Sequence, residues 1–165
     1  MKYLQTFILC LSMGCLFFSG MPKPVSSDIQ RIKITDLEKM IRESETPLIV
    51  SFWATFCQPC VEEIPYFEKE VKKYPAGKLR LILVSLDLED YYPEKIKAFA
   101  TRAGFASPIF WLDETNADYF CPRVDEQWSG AIPATLFVNI KKGYRKFYEE
   151  QVSPQTLEKE IRAIL

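Results

Sequence analysis

Two cysteines separated by two residues, Cys57-Gln58-Pro59-Cys60, stand where a buried-strand pattern gives way to a helical one. Leu48 to Trp53 (LIVSFW) is a short run of apolar, β-branched and aromatic residues, the signature of a buried strand. From Val61 to Tyr74, Ile64, Phe67 and Val71 recur on one stripe, the signature of a helix. A thiol at a helix N-terminus faces free backbone N–H groups and the positive end of the helix dipole. Its thiolate is stabilised there and becomes a nucleophile near neutral pH. Two intervening residues bring the second sulfur into the same turn, where it can attack a mixed disulfide. Pro59 suits that first turn, because its missing N–H costs nothing.

The other use of such a pair is half of a zinc site, which needs four ligands. The chain contains no histidine, and beyond the N-terminal Cys10 and Cys15 only Cys121 remains as a third thiol. No metal site is therefore expected, and redox use of the pair is favoured. Without histidine, proton transfer must fall to carboxylates, lysines, tyrosines, thiols or water. Cys121 reads as a buried unreactive thiol, with a third redox thiol as the other reading. A net charge of −1 gives no basic excess for nucleic acid.

Residues 1–22 read as a signal peptide or a membrane or lipoprotein anchor. Met1-Lys2 is a basic start, and Tyr3 to Gly20 is apolar and uncharged. Ser12-Met13-Gly14-Cys15 leaves open a lipidated Cys15. Either way the rest of the chain is expected outside the cytoplasm, periplasmic or on the outer face of the cytoplasmic membrane, in a bacterium. Residues 23–34, opening on Pro- and Ser-rich sequence, are expected to be a linker. Residues 35–165 are one domain's length.

Within that domain Thr35 and Glu38 have capping-box spacing for a first helix. After the cysteines, Leu79 to Asp87 reads as a strand, Pro93 to Ala103 as a helix closed by Gly104, and Ile109 to Leu112 as a short strand. Asp113 to Gly130 is irregular or partly helical. Ala134 to Ile140 and Tyr144 to Glu150 form a hairpin, and Ser153-Pro154 opens a last helix carrying Leu157, Ile161 and Ile164. Alternating strands and helices with a terminal hairpin predict an α/β fold with a mixed central sheet flanked by helices.

Ser51 to Pro65 (SFWATFCQPCVEEIP) resembles the active-site signature of the TlpA/ResA-like branch of the thioredoxin superfamily. Ile132-Pro133-Ala134-Thr135 resembles its cis-proline loop, Lys142-Gly143 its turn before the last strand, and Pro65 the proline of its active-site helix. The 73 residues from Cys60 to Pro133 leave room for an extra strand–helix insert of roughly 30 residues, supplied by about 86–110. The resemblance implies a thioredoxin-like fold with that βα insert. It also implies a protein-disulfide oxidoreductase with a redox-active Cys57–Cys60 couple and no cofactor. In it Cys57 attacks and Cys60 resolves. Glu63, one helical turn beyond Cys60, tunes the thiols and moves protons. Ile132 and Pro133 pair with substrate backbone, and Phe56, Pro59 and Trp53 border the substrate. Trp128 either borders the groove or is core.

Two departures stand out. Phe56 replaces the usual tryptophan, and Ser51 replaces the buried aspartate of thioredoxins proper, which shifts weight to Glu63. The partners implied are protein thiols and disulfides, with a membrane thiol reductase as electron donor and the membrane itself through the N-terminal segment. A reductant of protein disulfides is the favoured role. A reductant of apocytochrome c thiols, or a non-catalytic binding module on the same fold, are the alternatives.

Overall fold

The computed structural model describes residues 28–165. In chain order its elements are β1 (Gln30–Ile32), α1 (Ile34–Arg42), β2 (Leu48–Trp53), α2 (Gln58–Val71), β3 (Arg80–Ser85), α3 (Glu94–Ala103), β4 (Ile109–Leu112), α4 (Ala117–Val124), β5 (Ala134–Asn139), β6 (Tyr144–Tyr148) and α5 (Pro154–Ile164). The six strands form one sheet in the order β1-β4-β3-β2-β5-β6. β1 through β4 run parallel to one another where they pair, β5 runs against β2, and β6 runs against β5 and so returns to the direction of the first four. The expected mixed sheet is thus present, and the segment from about 86 to 110 holds α3 and the start of β4.

Strand alternation divides the core. Ile49, Trp53, Leu81, Leu83 and Phe137 face one side, where Ile64 and Phe67 of α2, Ile96 of α3 and Leu157 and Ile161 of α5 cover them. Leu48, Val50, Phe52, Ile82, Val84 and Leu136 face the other, under Leu37 and Ile41 of α1 and Phe120 and Val124 of α4. Both faces of the central strands are buried, which explains why β2 and β3 are continuous apolar runs rather than alternating ones.

Local chemistry accounts for the differences from expectation. Residues 30–32, inside the expected linker, form the edge strand β1 and pair with β4. Helix α1 begins at Ile34 and not after a Thr35 cap; the Asp36 carboxylate accepts the Lys33 N–H at 2.9 Å. Helix α2 begins three residues earlier than the apolar stripe indicates, with Cys57 itself as N-cap. The segment 113–130, expected to be irregular or partly helical, contains α4, which carries Pro122. Gly104 closes α3 at φ +73°, where a side chain would be strained.

This topology builds one end of the sheet. The C-terminal end of β2 leads into the N-terminus of α2. Because β5 is antiparallel to β2, with Ala134 opposite Phe52, the residue before Ala134 arrives at that same end.

Candidate active site

Cys57 and Cys60 are joined by a disulfide, with Cα atoms 5.3 Å apart. Cys57 caps α2, and its Sγ accepts the Cys60 N–H at 3.4 Å. That bond directs a backbone donor at the sulfur where a thiolate would form. The two sulfurs are unequal in access: Cys57 is 7% exposed and Cys60 is 0% exposed. An attacking group can reach only the first. Next to it Phe56 is 70% exposed, an aromatic ring held in solvent beside the disulfide. Pro59 is also exposed.

The loop leading to Cys57 is held by a residue that sequence reasoning missed. Asp87, buried just beyond β3, accepts the Thr55 N–H at 3.0 and 3.1 Å and the Thr55 hydroxyl at 2.6 Å. Ser85 donates to the same carboxylate at 2.8 Å. The available signal was a carboxylate closing the second apolar strand, a position where a buried charge needs several donors.

Glu63 is 0% exposed, inside the protein and not on its surface. One oxygen accepts the Val152 N–H at 3.0 Å, and the other has no protein partner. Burial pushes its carboxyl up from 4.5 to about 7, only partly opposed by the Val152 bond. Tyr66, one turn further on, donates its hydroxyl to the Val152 carbonyl. Burial, and then the Glu63 charge, push that phenol up. Glu63 lies one helical turn from Cys60, so the disulfide and a carboxyl that titrates near neutrality share one side of α2. Glu62 points outward and accepts from Gln58 at 3.0 Å.

Ser51 and Thr135 oppose each other across β2 and β5. Both are 0% exposed, and neither hydroxyl has a protein partner. They place two small polar groups on the sheet face that α2 covers, where Ser51 takes the place of a carboxylate.

The Ile132–Pro133 peptide bond is cis, as the resemblance implies. Pro133 is buried and Ile132 half-buried. Trp53 corrects an expectation. It is 0% exposed, with its ring 5.2 Å from that of Phe105 and 6.1 Å from that of Phe99, so it is core and cannot border a substrate. Trp128 is core as well: it packs on Phe52, Phe120 and Phe147 while its indole N–H donates to the Ala131 carbonyl at 2.9 Å. Cys121 is buried in α4, and burial pushes its thiol up to about 11. Residues 1–27, with Cys10 and Cys15, lie outside the described residues. Among the described residues no helix is long and apolar enough to cross a membrane.

Comparison with known proteins agrees with this geometry. The thioredoxin-like protein YneN of Bacillus subtilis is 36% identical over 74 residues, which cover 44% of this chain and 42% of YneN. The thiol-disulfide oxidoreductase ResA of Bacillus anthracis is 28% identical over 98 residues, covering 56% of this chain and 55% of ResA. The chain therefore spans about half or less of these two relatives' length. The crystal structure of a thioredoxin-related protein from Neisseria meningitidis serogroup B superposes with a TM-score of 0.61 at 26% identity, over 72% of this chain and 84% of that one. The fold is thioredoxin-like. The AhpC/TSA family model matches residues 22–143, most of the chain, and the protein belongs to that family.

Proposed function

We propose that this protein is an extracytoplasmic thiol–disulfide oxidoreductase that reduces disulfides of protein substrates through Cys57 and Cys60. The observation that carries the reading is the unequal pair at the head of α2, an accessible Cys57 backed by a sealed Cys60, with Glu63 buried one turn below.

The steps follow from that arrangement. In the dithiol form the Cys57 thiolate attacks one sulfur of a substrate disulfide. The substrate S–S bond breaks, a Cys57–substrate disulfide forms, and the first substrate thiolate leaves. Cys60 then loses its proton and attacks Cys57 Sγ. The mixed disulfide breaks, the second substrate thiolate leaves, and the Cys57–Cys60 disulfide closes. Two electrons pass to the substrate, and its two thiolates take up protons. The buried Cys60 needs a nearby proton acceptor in the second step, and Glu63, with its carboxyl near 7, is poised to be it. The dithiol is its own redox centre, with no cofactor. Backbone of the Ile132-Pro133 segment receives the substrate chain, while Phe56 and Pro59 offer exposed surface beside the sulfur.

Export rests on the basic start and uncharged apolar run of residues 1–20. Outside the cytoplasm the oxidised pair must be re-reduced, and a membrane thiol reductase is the donor this reading requires.

The deciding test is the Cys60→Ser variant presented with a protein disulfide. It should accumulate a covalent complex through Cys57 that dithiothreitol releases, and Cys57→Ser should form none. Equilibration of the wild-type pair in dithiol buffers then fixes direction, since a reductant falls near roughly −270 mV and an oxidant near roughly −120 mV. No trapped complex and no reversible couple would leave only a binding role for the fold.

A further inference from the structure

The connection between β6 and α5 makes contacts that the sulfur chemistry does not explain. Glu149 is half-buried at its start. Its Oε1 accepts the Ser129 N–H at 2.9 Å, the Ser129 hydroxyl, and the Ala131 N–H at 3.0 Å. The carbonyl of Ala131 in turn accepts from the Trp128 indole at 2.9 Å. Gly130 between them has φ +96°, and a Cβ there would lie 3.5 Å from the Cys121 sulfur of α4. Residues 129–131 are thus tied on both sides immediately before the cis Ile132–Pro133 bond. Bonds to a carboxylate are the stronger kind, and three on one oxygen fix a loop that has no regular structure of its own.

The same connection reaches the opposite wall of the site. Gln151 donates to the Pro59 carbonyl at 3.2 Å, and Val152 donates to Glu63 at 3.0 Å. Four consecutive residues, 149–152, therefore grip the cis-proline loop at one end and the active-site helix at the other.

We propose that Glu149 is a positioning residue that fixes the Ile132-Pro133 segment at its working distance from the disulfide, so that a substrate backbone meets both at once. This rests on the oxidoreductase reading. Glu149 acts through the loop and not on the sulfurs, so capture of a polypeptide depends on it while the reaction of Cys57 with a small thiol does not.

The test compares the full wild-type chain with Glu149→Ala and Glu149→Gln. Glutamine keeps the acceptor oxygen and should rescue. Three readouts are taken: KM and kcat for insulin reduction, the rate at which dithiothreitol reduces the oxidised pair, and amide exchange at Ser129 and Ala131. Glu149→Ala should raise KM about tenfold, as expected for losing several bonds to a charged acceptor, with kcat within about twofold. Its reaction with dithiothreitol should be unchanged, and exchange at both amides should rise about tenfold or more. Glu149→Gln should stay within about threefold of wild type throughout.

An unchanged KM or unchanged exchange in Glu149→Ala overturns the proposal. So does an equal loss of the dithiothreitol reaction. If Glu149→Ala does not fold, Ser129→Ala, which removes one of the three donors, should raise KM about two- to threefold, and no rise overturns it. If wild type reduces no insulin, the proposed reducing role fails. Amide exchange in Glu149→Ala against Glu149→Gln still decides whether Glu149 holds the loop.

Discussion

Replacing Glu63 with glutamine should remove most of the protein's pH-dependent stability near neutrality. Burial raises this carboxyl from 4.5 in the unfolded chain to about 7 in the folded one. Between those values the folded protein holds a proton that the unfolded chain has released. Stability is therefore highest below the unfolded value, falls as pH rises through the window, and levels off above about 7. At about 1.4 kcal/mol per pKa unit, the loss from pH 4.5 to pH 8 is about 3 kcal/mol. Glutamine has the same shape, stays neutral across the range, and can still accept the Val152 N–H. Urea unfolding of the disulfide-bonded protein at several pH values measures both curves. Wild type should lose about 3 kcal/mol across the window while Glu63→Gln stays nearly flat, with the denaturant slope unchanged. Parallel curves for the two proteins would refute the reasoning, because the carboxyl would then carry no proton into the fold. The same substitution should flatten the rise in disulfide-reduction rate between pH 6 and 8.

Three further outcomes are open to direct measurement. Asp87→Ala leaves the Thr55 amide and the Ser85 hydroxyl without their buried acceptor, and should cost about 2–4 kcal/mol by chemical denaturation. Phe56→Ala removes an exposed ring, so stability should stay within about 0.5 kcal/mol while KM for a protein disulfide rises. Cys121 should resist iodoacetamide at pH 8 in the native protein and react only on unfolding, since burial leaves its thiol protonated; mass spectrometry counts the adducts.

The order of elements was legible because each signal was local. The LIVSFW run, the 3.6-residue stripe of Ile64, Phe67 and Val71, and the Ser153 cap each sit within one window of sequence. The features that escaped are held by long-range partners or break a residue-type expectation. β1 has three residues, too few for any periodicity, and owes its existence to β4 some 80 positions away. Helix α4 is only eight residues long and carries a proline, so its pattern is weak even though Phe120, Cys121 and Val124 are buried. Glu63 could be placed on the side of Cys60 from spacing, but glutamate is so seldom sealed inside a protein that its burial was visible only in the fold. Trp53 errs the other way: an aromatic beside a reactive motif invites a binding role, while both faces of β2 are covered, which commits it to the core. Asp87 and Thr55 are 32 residues apart, and nothing in either neighbourhood names the other.

The two outer strands bear on which backbone a guest chain can join. An open sheet edge is a template for adding a strand from another molecule. Here β1 offers only three residues, and its Arg31 is pinned to Glu89 and Asp113 and stacked over Trp111. β6, at the far side, exposes Arg145 and Lys146. Short length at one margin and positive charge at the other discourage strand addition to either, and with it the self-association that flat apolar margins invite. Under the proposed function, an extended polypeptide arriving at this protein would align along the rim beside the disulfide and not along either margin.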